Sequence, residues 1–204
     1  MKTLAELLKD EGQTEEKYTI YCDMDGVLCN FEARFLEILR EVQPKRYSNT
    51  FVEKINSPDD FIKETSAEEF WHIIDHVVGV RYWVGMNWTP SGVKLWNFLT
   101  EGEKPWDKPT LLTSPSRHPN SRLGKRLWVK NHIPGTPIIF KNSKYKQEMA
   151  TPTSILIDDR QDNIDRWREA GGIGIHCPQN THNIEKVFKE IREVYEGKSS
   201  EEGV

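Results

Sequence analysis

The chain has 204 residues, 36% hydrophobic and 29% charged, with a formal net charge of -4, enough for one sizeable core with a small inserted lobe and too little for three independent domains. This balance gives no global electrostatic reason to expect duplex nucleic acid or an anionic membrane surface as a partner. No apolar run approaches the roughly 20 residues of a spanning helix. The amphipathic residues 1–10 lack the apolar centre and cleavage site of a secretory signal, and Cys22, Cys29 and Cys177 stand at no metal spacing. A cytoplasmic setting with buried thiols is therefore expected.

In chain order, the first predicted element is a strand over residues 19–23, which ends in Asp23-Met-Asp-Gly. Residues 30–88 carry no convincing strand. Instead, residues 31–42 and 66–80 show helical apolar spacing, so the region reads as a helical insertion after the first strand. Thr89-Pro90 is a helix start, and residues 90–99 resume the main body. Further strands are predicted over residues 110–113, 137–140, 154–158 and 173–177, with helices over 121–132 and 161–170, the last stopped by Gly171-Gly172. Strands alternating with helices imply an α/β fold, a Rossmann-like parallel five-stranded sheet with helices on both faces. Residues 1–29 and 89–197 would form that core, residues 30–88 a small helical cap, and the polar residues 198–204 a flexible tail.

Ligands of open parallel sheets bind outside the carboxyl ends of the strands, so the residues at which the apolar runs stop are the candidates. The first run stops on Asp23 and Asp25, the second on Thr113-Ser114 and the fourth on Asp158-Asp159, while Lys141-Asn-Ser-Lys-Tyr-Lys146 follows the third. Carboxylates, a hydroxyl and an ammonium at one edge suit a metal-bound phosphoryl group. Two aspartates on one small site call for a cation or a shared proton.

Asp23-Met-Asp-Gly-Val-Leu28, Leu111-Leu-Thr113, a lysine near 146 and Leu156-Ile-Asp-Asp159, in that order, resemble the four motifs of the haloacid dehalogenase superfamily of phosphohydrolases. A finer likeness is to the 5'(3')-deoxyribonucleotidases. It is carried by the run from Asp23 to Phe31, by Thr113-Ser114-Pro115 and by Leu156-Ile-Asp-Asp-Arg160, and it spans residues 18–177 with its strength at the motifs.

The resemblance implies a Mg2+-dependent phosphomonoesterase acting on nucleoside monophosphates, deoxynucleotides foremost, through an aspartyl phosphate. Asp23 would be the nucleophile and a metal ligand. Asp25 would carry the proton to and from the reacting oxygens and lend its backbone carbonyl to the metal. Asp159 would complete the ligand set, with Asp158 in support. Thr113 would donate to the phosphoryl oxygens, with Ser114 beside it at the substrate. Lys141, Lys144 and Lys146 are all within reach of the phosphate, and the spacing to the acid pair favours Lys146.

Substrate contacts are expected from Arg117 and, on the next helix, Lys125; Arg122, Arg126 and Lys130 read as a solvated face. Phe31 occupies the position at which these nucleotidases contact the base, and Trp83 is the second choice. The remaining insertion rings, Phe70, Trp71, Tyr82 and Trp88, read as the cap's own core, and His72 and His76 as an ordinary helix face. The expected partner is a small phosphomonoester, with a homodimer left open. The rival readings are a phosphatase for a polynucleotide 3'-phosphate end or a phosphosugar, and a non-catalytic binding protein on the same scaffold. Carbon-halogen hydrolysis is disfavoured, because it requires neither Asp25 nor Mg2+.

Overall fold

Short runs of β-branched and aliphatic residues form five strands: β1 (Thr19–Cys22), β2 (Thr110–Thr113), β3 (Ile138–Phe140), β4 (Ser154–Asp158) and β5 (Ile173–His176). All pair in parallel in the order β3-β2-β1-β4-β5. The structure, a computed structural model, describes residues 17–179 and 181–201. Side chains alternate across the sheet as the two-residue period requires. Ile20, Cys22, Leu111, Ile155 and Ile157 enter the main core, whereas Leu112 and Leu156 face a smaller one built with Ile164 and Trp167. The predicted ends are off by one residue at β1, β3 and β5. The backbone ladder continues past two of them, since the Asp23 N–H donates to the Ile157 carbonyl and the Cys177 N–H to the Asp158 carbonyl, both at 2.9 Å.

The insertion after β1 consists of α1 (Phe31–Arg46), α2 (Asn49–Lys54), α3 (Pro58–Glu64), α4 (Ala67–His72), a π-helical stretch (Ile73–Val78) and α5 (Val80–Val84). The single helix expected over 66–80 is therefore divided, and Gly79 at φ 65° turns the chain out of the π-helical stretch. Helices α2 and α3 were not anticipated because each is under two turns long. Their caps and that of α4 are nonetheless readable: the side chains of Ser48, Ser57 and Ser66 accept from the N–H groups of Phe51, Asp60 and Glu69.

The body continues with α6 (Pro90–Thr100), α7 (Pro119–His132), a 3₁₀ turn (Ser143–Met149), α8 (Gln161–Glu169) and α9 (Ile184–Glu201). Helix α9 has no counterpart in the sequence expectation and enters the predicted tail, of which residues 202–204 lie outside the described residues. The amphipathic residues 1–10 also lie outside them. No helix among the described residues is long and apolar enough to cross a membrane.

The insertion is anchored to the body where α5 meets α7. Gly124 makes this approach possible, because a Cβ there would stand 2.4 Å from the Trp83 Cβ and 3.0 Å from the Val80 carbonyl. Trp128 on the same helix donates to the Met86 carbonyl at 2.8 Å, and Tyr82 donates to the Phe31 carbonyl at 2.8 Å. Gly124→Ala is expected to destabilise the protein by about 1–3 kcal/mol through overpacking, read as a lowered urea midpoint.

Candidate active site

The turn after β1 is a tight one. Gly26 adopts φ 80°, and a Cβ there would lie 2.2 Å from Asp159 Oδ2, so only glycine lets the two acid-bearing segments approach each other. The N–H of Gly26 donates to the Cys29 carbonyl, and those of Leu28 and Cys29 to the Met24 carbonyl. Thr89, at the start of α6, secures the turn from below by donating from its hydroxyl to the Val27 carbonyl at 2.7 Å. Asp23 and Asp25 thus project from the carboxyl edge of the sheet beside Asp158, which ends β4, and Asp159, which follows it.

Asp23, Asp158 and Asp159 each present an oxygen within 4.8 Å of the others. Asp158 is fully buried, and both its oxygens are engaged by the protein. Lys146 Nζ donates to Oδ2 at 2.7 Å, the Arg160 N–H donates to Oδ1 at 3.0 Å, and Asn163 Nδ2 lies 2.9 and 3.0 Å from the two. The carboxylate of Asp159 has no hydrogen bond among the described residues and lines a cavity, while its backbone carbonyl meets His176 Nε2 at 2.8 Å.

Lys146 is buried, and its Nζ also stands 2.9 Å from Asp23 Oδ1 as an ion pair. Of the three candidate lysines it is the one among the acids, since Lys141 pairs with Glu148 at 2.6 Å and Lys144 lies over the Tyr145 ring. Lys125, expected at the ligand, is instead completely buried behind the site. Its Nζ meets Asp25 Oδ2 at 2.6 Å, Thr113 Oγ1 at 2.7 Å and the Ser114 carbonyl at 2.9 Å. An ammonium has three donors, and here the protein engages all three.

Four carboxylates therefore face two ammoniums. Burial pushes the Asp159 carboxyl up to about 8, with the negative charges of Asp23, Asp158 and Asp25 adding to the effect. Asp25 and Asp158 are also raised, burial being the first cause in each, against the pull of Lys125 and Lys146 respectively. Burial disfavours the Lys146 ammonium, yet Asp23 and Asp158 outweigh it and hold its pKa above the ordinary lysine value. Excess negative charge on clustered oxygens is the donor set of a hard divalent cation, and Asp23, Asp158 and Asp159 fit Mg2+.

The acids open into a cavity of about 1390 Å3, larger than the usual small-molecule site, so there is room beyond a phosphate. Asp23, Asp25, Phe31, Trp83, Ser114, Arg117, Lys146 and Asp159 line it, whereas Thr113 and Asp158 lie behind its wall. The aromatic expectations are redistributed. Trp83 is 1% exposed, packed 5.8 Å from Phe31 with Lys125 over its ring, whereas Trp71, expected in the cap's core, is 40% exposed and stands 6.3 Å from Phe31. Which ring of a mixed helix keeps an open face depends on packing, which the spacing does not reveal.

Other residues at the site were missed from sequence. Asp75 accepts from the Ser116 hydroxyl at 2.9 Å, Asn120 donates to the Asp75 carbonyl at 2.9 Å, and His76 lies 4.6 Å from His118. These contacts join the π-helical stretch to the loop after β2 and the start of α7. His72 stacks on His76 at 5.3 Å, and both line the cavity. Asn163 had a readable signal, a short polar residue one turn after the acid pair, but nothing local distinguishes it from an ordinary first-turn asparagine.

The parallel sheet, the helical insertion after its first strand and the carboxylate cluster at its carboxyl edge define a phosphatase of the haloacid dehalogenase type. A family model described as "5' nucleotidase, deoxy (Pyrimidine), cytosolic type C protein" matches residues 17–196, and the chain belongs to that family. No curated protein sequence is significantly similar to it. Among solved structures, a hydrolase from Streptococcus pneumoniae TIGR4 is similar with a TM-score of 0.51 at 16% identity, over 85% of this chain and 99% of that one, and shows the shared fold. A hydrolase from Pseudomonas syringae aligns with a TM-score of 0.48 at 14% identity, over 85% of this chain and 90% of that one.

The raised Asp159 carboxyl has a consequence for stability. An unfolded aspartate loses its proton near 4, whereas folded, metal-free Asp159 keeps it to about 8. The folded state then binds more protons in that window, so the stability of the metal-free protein falls as pH rises from about 4 to about 8. Saturating Mg2+ is expected to flatten this slope. Urea denaturation across that range, with chelator and with Mg2+, checks it, and a flat metal-free profile contradicts it.

Proposed function

We propose that this enzyme hydrolyses nucleoside monophosphates, deoxynucleotides foremost, with Asp23 as the nucleophile. The Asp23 carboxylate attacks phosphorus and the ester P–O bond breaks, with the proton of Asp25 going to the leaving oxygen. Water then attacks the aspartyl phosphate, Asp25 takes its proton, and phosphate departs with Asp23 restored. When bound by Asp23, Asp159 and the Asp25 carbonyl, Mg2+ would offset the repulsion between the carboxylate and the phosphate dianion. Lys146, with one donor left beyond Asp158 and Asp23, and Ser114 supply hydrogen bonds to the phosphoryl oxygens, while Thr113, expected as a donor but buried behind the cavity wall, holds Lys125 instead. Asp158 orients Lys146 and supports the ligand set.

The observation that carries the nucleotide reading is the aromatic wall of the same cavity. Phe31 and the open face of Trp71 offer a stacking surface in the cavity that the acids also line, and the family description names deoxypyrimidine nucleotides. Arg117, exposed at the mouth, suits an anionic substrate. The size of the cavity also favours a second reading, in which a polynucleotide 3'-phosphate end enters it.

Phosphate release from ribo- and deoxynucleotides, 3'-phosphorylated oligonucleotides and base-free phosphosugars separates these readings. Deoxynucleotides are expected to lead, and equal rates on phosphosugars contradict the proposal. Asp23→Asn is expected to lower turnover by more than about 1,000-fold while leaving the circular dichroism spectrum unchanged. Retained turnover in that variant refutes the assignment of the nucleophile. Trp71→Ala is expected to raise KM for the nucleotide by roughly 5- to 100-fold, in keeping with the worth of a stacked base, with KM for p-nitrophenyl phosphate unchanged.

A further inference from the structure

We infer that Lys125 is a positioning residue, which holds the Asp25 carboxylate in place for proton transfer to the leaving group and ties it to Thr113. This rests on the reading of Asp25 as the proton carrier. The lysine comes from the middle of α7, outside every strand-end motif, yet its Nζ reaches the site with contacts of 2.6 Å to Asp25 Oδ2, 2.7 Å to Thr113 Oγ1 and 2.9 Å to the Ser114 carbonyl. A lysine with no exposed surface persists only where its charge is compensated. Asp25 supplies the charge when ionised and still accepts through Oδ2 when the proton is on Oδ1, and the other two acceptors satisfy the remaining N–H groups.

Three consequences follow from the geometry. Lys125 has no donor left for a substrate, so its effect passes through the residues it holds. Because the ammonium donates to Thr113 Oγ1, the hydroxyl's own proton is directed away from Lys125, which leaves it free to donate elsewhere. Asp25 is pinned by one oxygen only, since its Oδ1 is buried without a hydrogen-bond partner among the described residues, so the lysine is what fixes the orientation of the carboxylate. The ammonium of Lys125 also lies over the Trp83 ring, 5.1 Å from its centroid, and neighbouring Gly124 packs closely on the same residue.

A group that positions the proton carrier matters in proportion to how much the leaving group needs a proton. Alkoxide departure from a nucleoside monophosphate needs one, whereas 2,4-dinitrophenolate departs without it. Lys125→Met is expected to lower kcat/KM on the nucleotide, which reports the steps up to departure of the leaving group, by about 100-fold, the scale of general acid catalysis. On 2,4-dinitrophenyl phosphate its kcat/KM is expected to stay within about fivefold of the parent, whereas kcat also includes hydrolysis of the aspartyl phosphate, in which Asp25 takes the proton of water whatever the leaving group was. Asp25→Asn is expected to show the same selectivity, and the double variant to be no slower on the nucleotide than Asp25→Asn alone.

Equal losses of kcat/KM on both substrates, or no loss on either, overturn the positioning role. Should Lys125→Met not fold, Lys125→Arg is read in the same way, because a guanidinium keeps the charge but cannot set one nitrogen against three convergent acceptors. The parent enzyme and Asp23→Asn are measured alongside. A parent inactive on both phosphates, or an active Asp23→Asn, defeats the reading of the reaction itself, an outcome distinct from equal losses in the Lys125 variants.

Discussion

Four carboxylates and two ammoniums share the carboxyl edge of this sheet at the wall of its cavity, and the surrounding structure is organised by the resulting excess of negative charge. Asp23, Asp25, Asp158 and Asp159 cannot all be ionised there without compensation, as the raised proton affinities of Asp25, Asp158 and Asp159 show. Lys146 sits between Asp23 and Asp158, and Lys125 sits against Asp25. A divalent cation is the natural complement of what remains. Fixed charges of both signs around a place for phosphate also form a preorganised environment, in which little reorganisation accompanies the transfer of charge.

The insertion and the body meet on the helix that serves this site. Gly124 and Lys125 are adjacent on α7. The first admits Trp83 of the insertion into close contact, and the second passes across the same ring to reach Asp25. The docking of the insertion and the placement of Asp25 are therefore linked through one indole. Farther along the wall, Asp75 on the π-helical stretch is held by Ser116 and Asn120 from the loop after β2 and the start of α7. An irregular helix at this point is in keeping with the frequency of π-bulges near functional sites. It turns Asp75 and His76 toward the loop that also carries Arg117 and His118.

A site of this kind is built at the expense of stability. Burying carboxylates beside one another disfavours the folded state unless protons or a cation relieve them, and the body supplies the compensating packing. Strand β4 is buried along its whole length, and Trp128 and Trp167 are fully enclosed on opposite sides of the sheet. The turn after β1 likewise depends on packing from outside itself, since Thr89 and α6 support it from the other end of the insertion.

Much of the fold was legible because the signals are local. Strand-sized apolar runs, each followed by a helical pattern, carry the parallel sheet in their spacing, and the acid pairs at strand ends could be assigned to one edge because parallel strands present all their carboxyl ends together. Serine caps at 48, 57 and 66 carried the division of the insertion, but such short helices leave too weak a periodicity to stand out. What the sequence by itself determined was the sheet, its active edge and the class of chemistry there. Tertiary structure alone decided which of Lys141, Lys144 and Lys146 enters the acid cluster, that Lys125 faces inward rather than toward a ligand, and that Trp71 rather than Trp83 keeps an open face. Each of these depends on contacts between residues tens of positions apart. Charge and aromaticity are properties of a residue, whereas burial and partnership are properties of the packing around it.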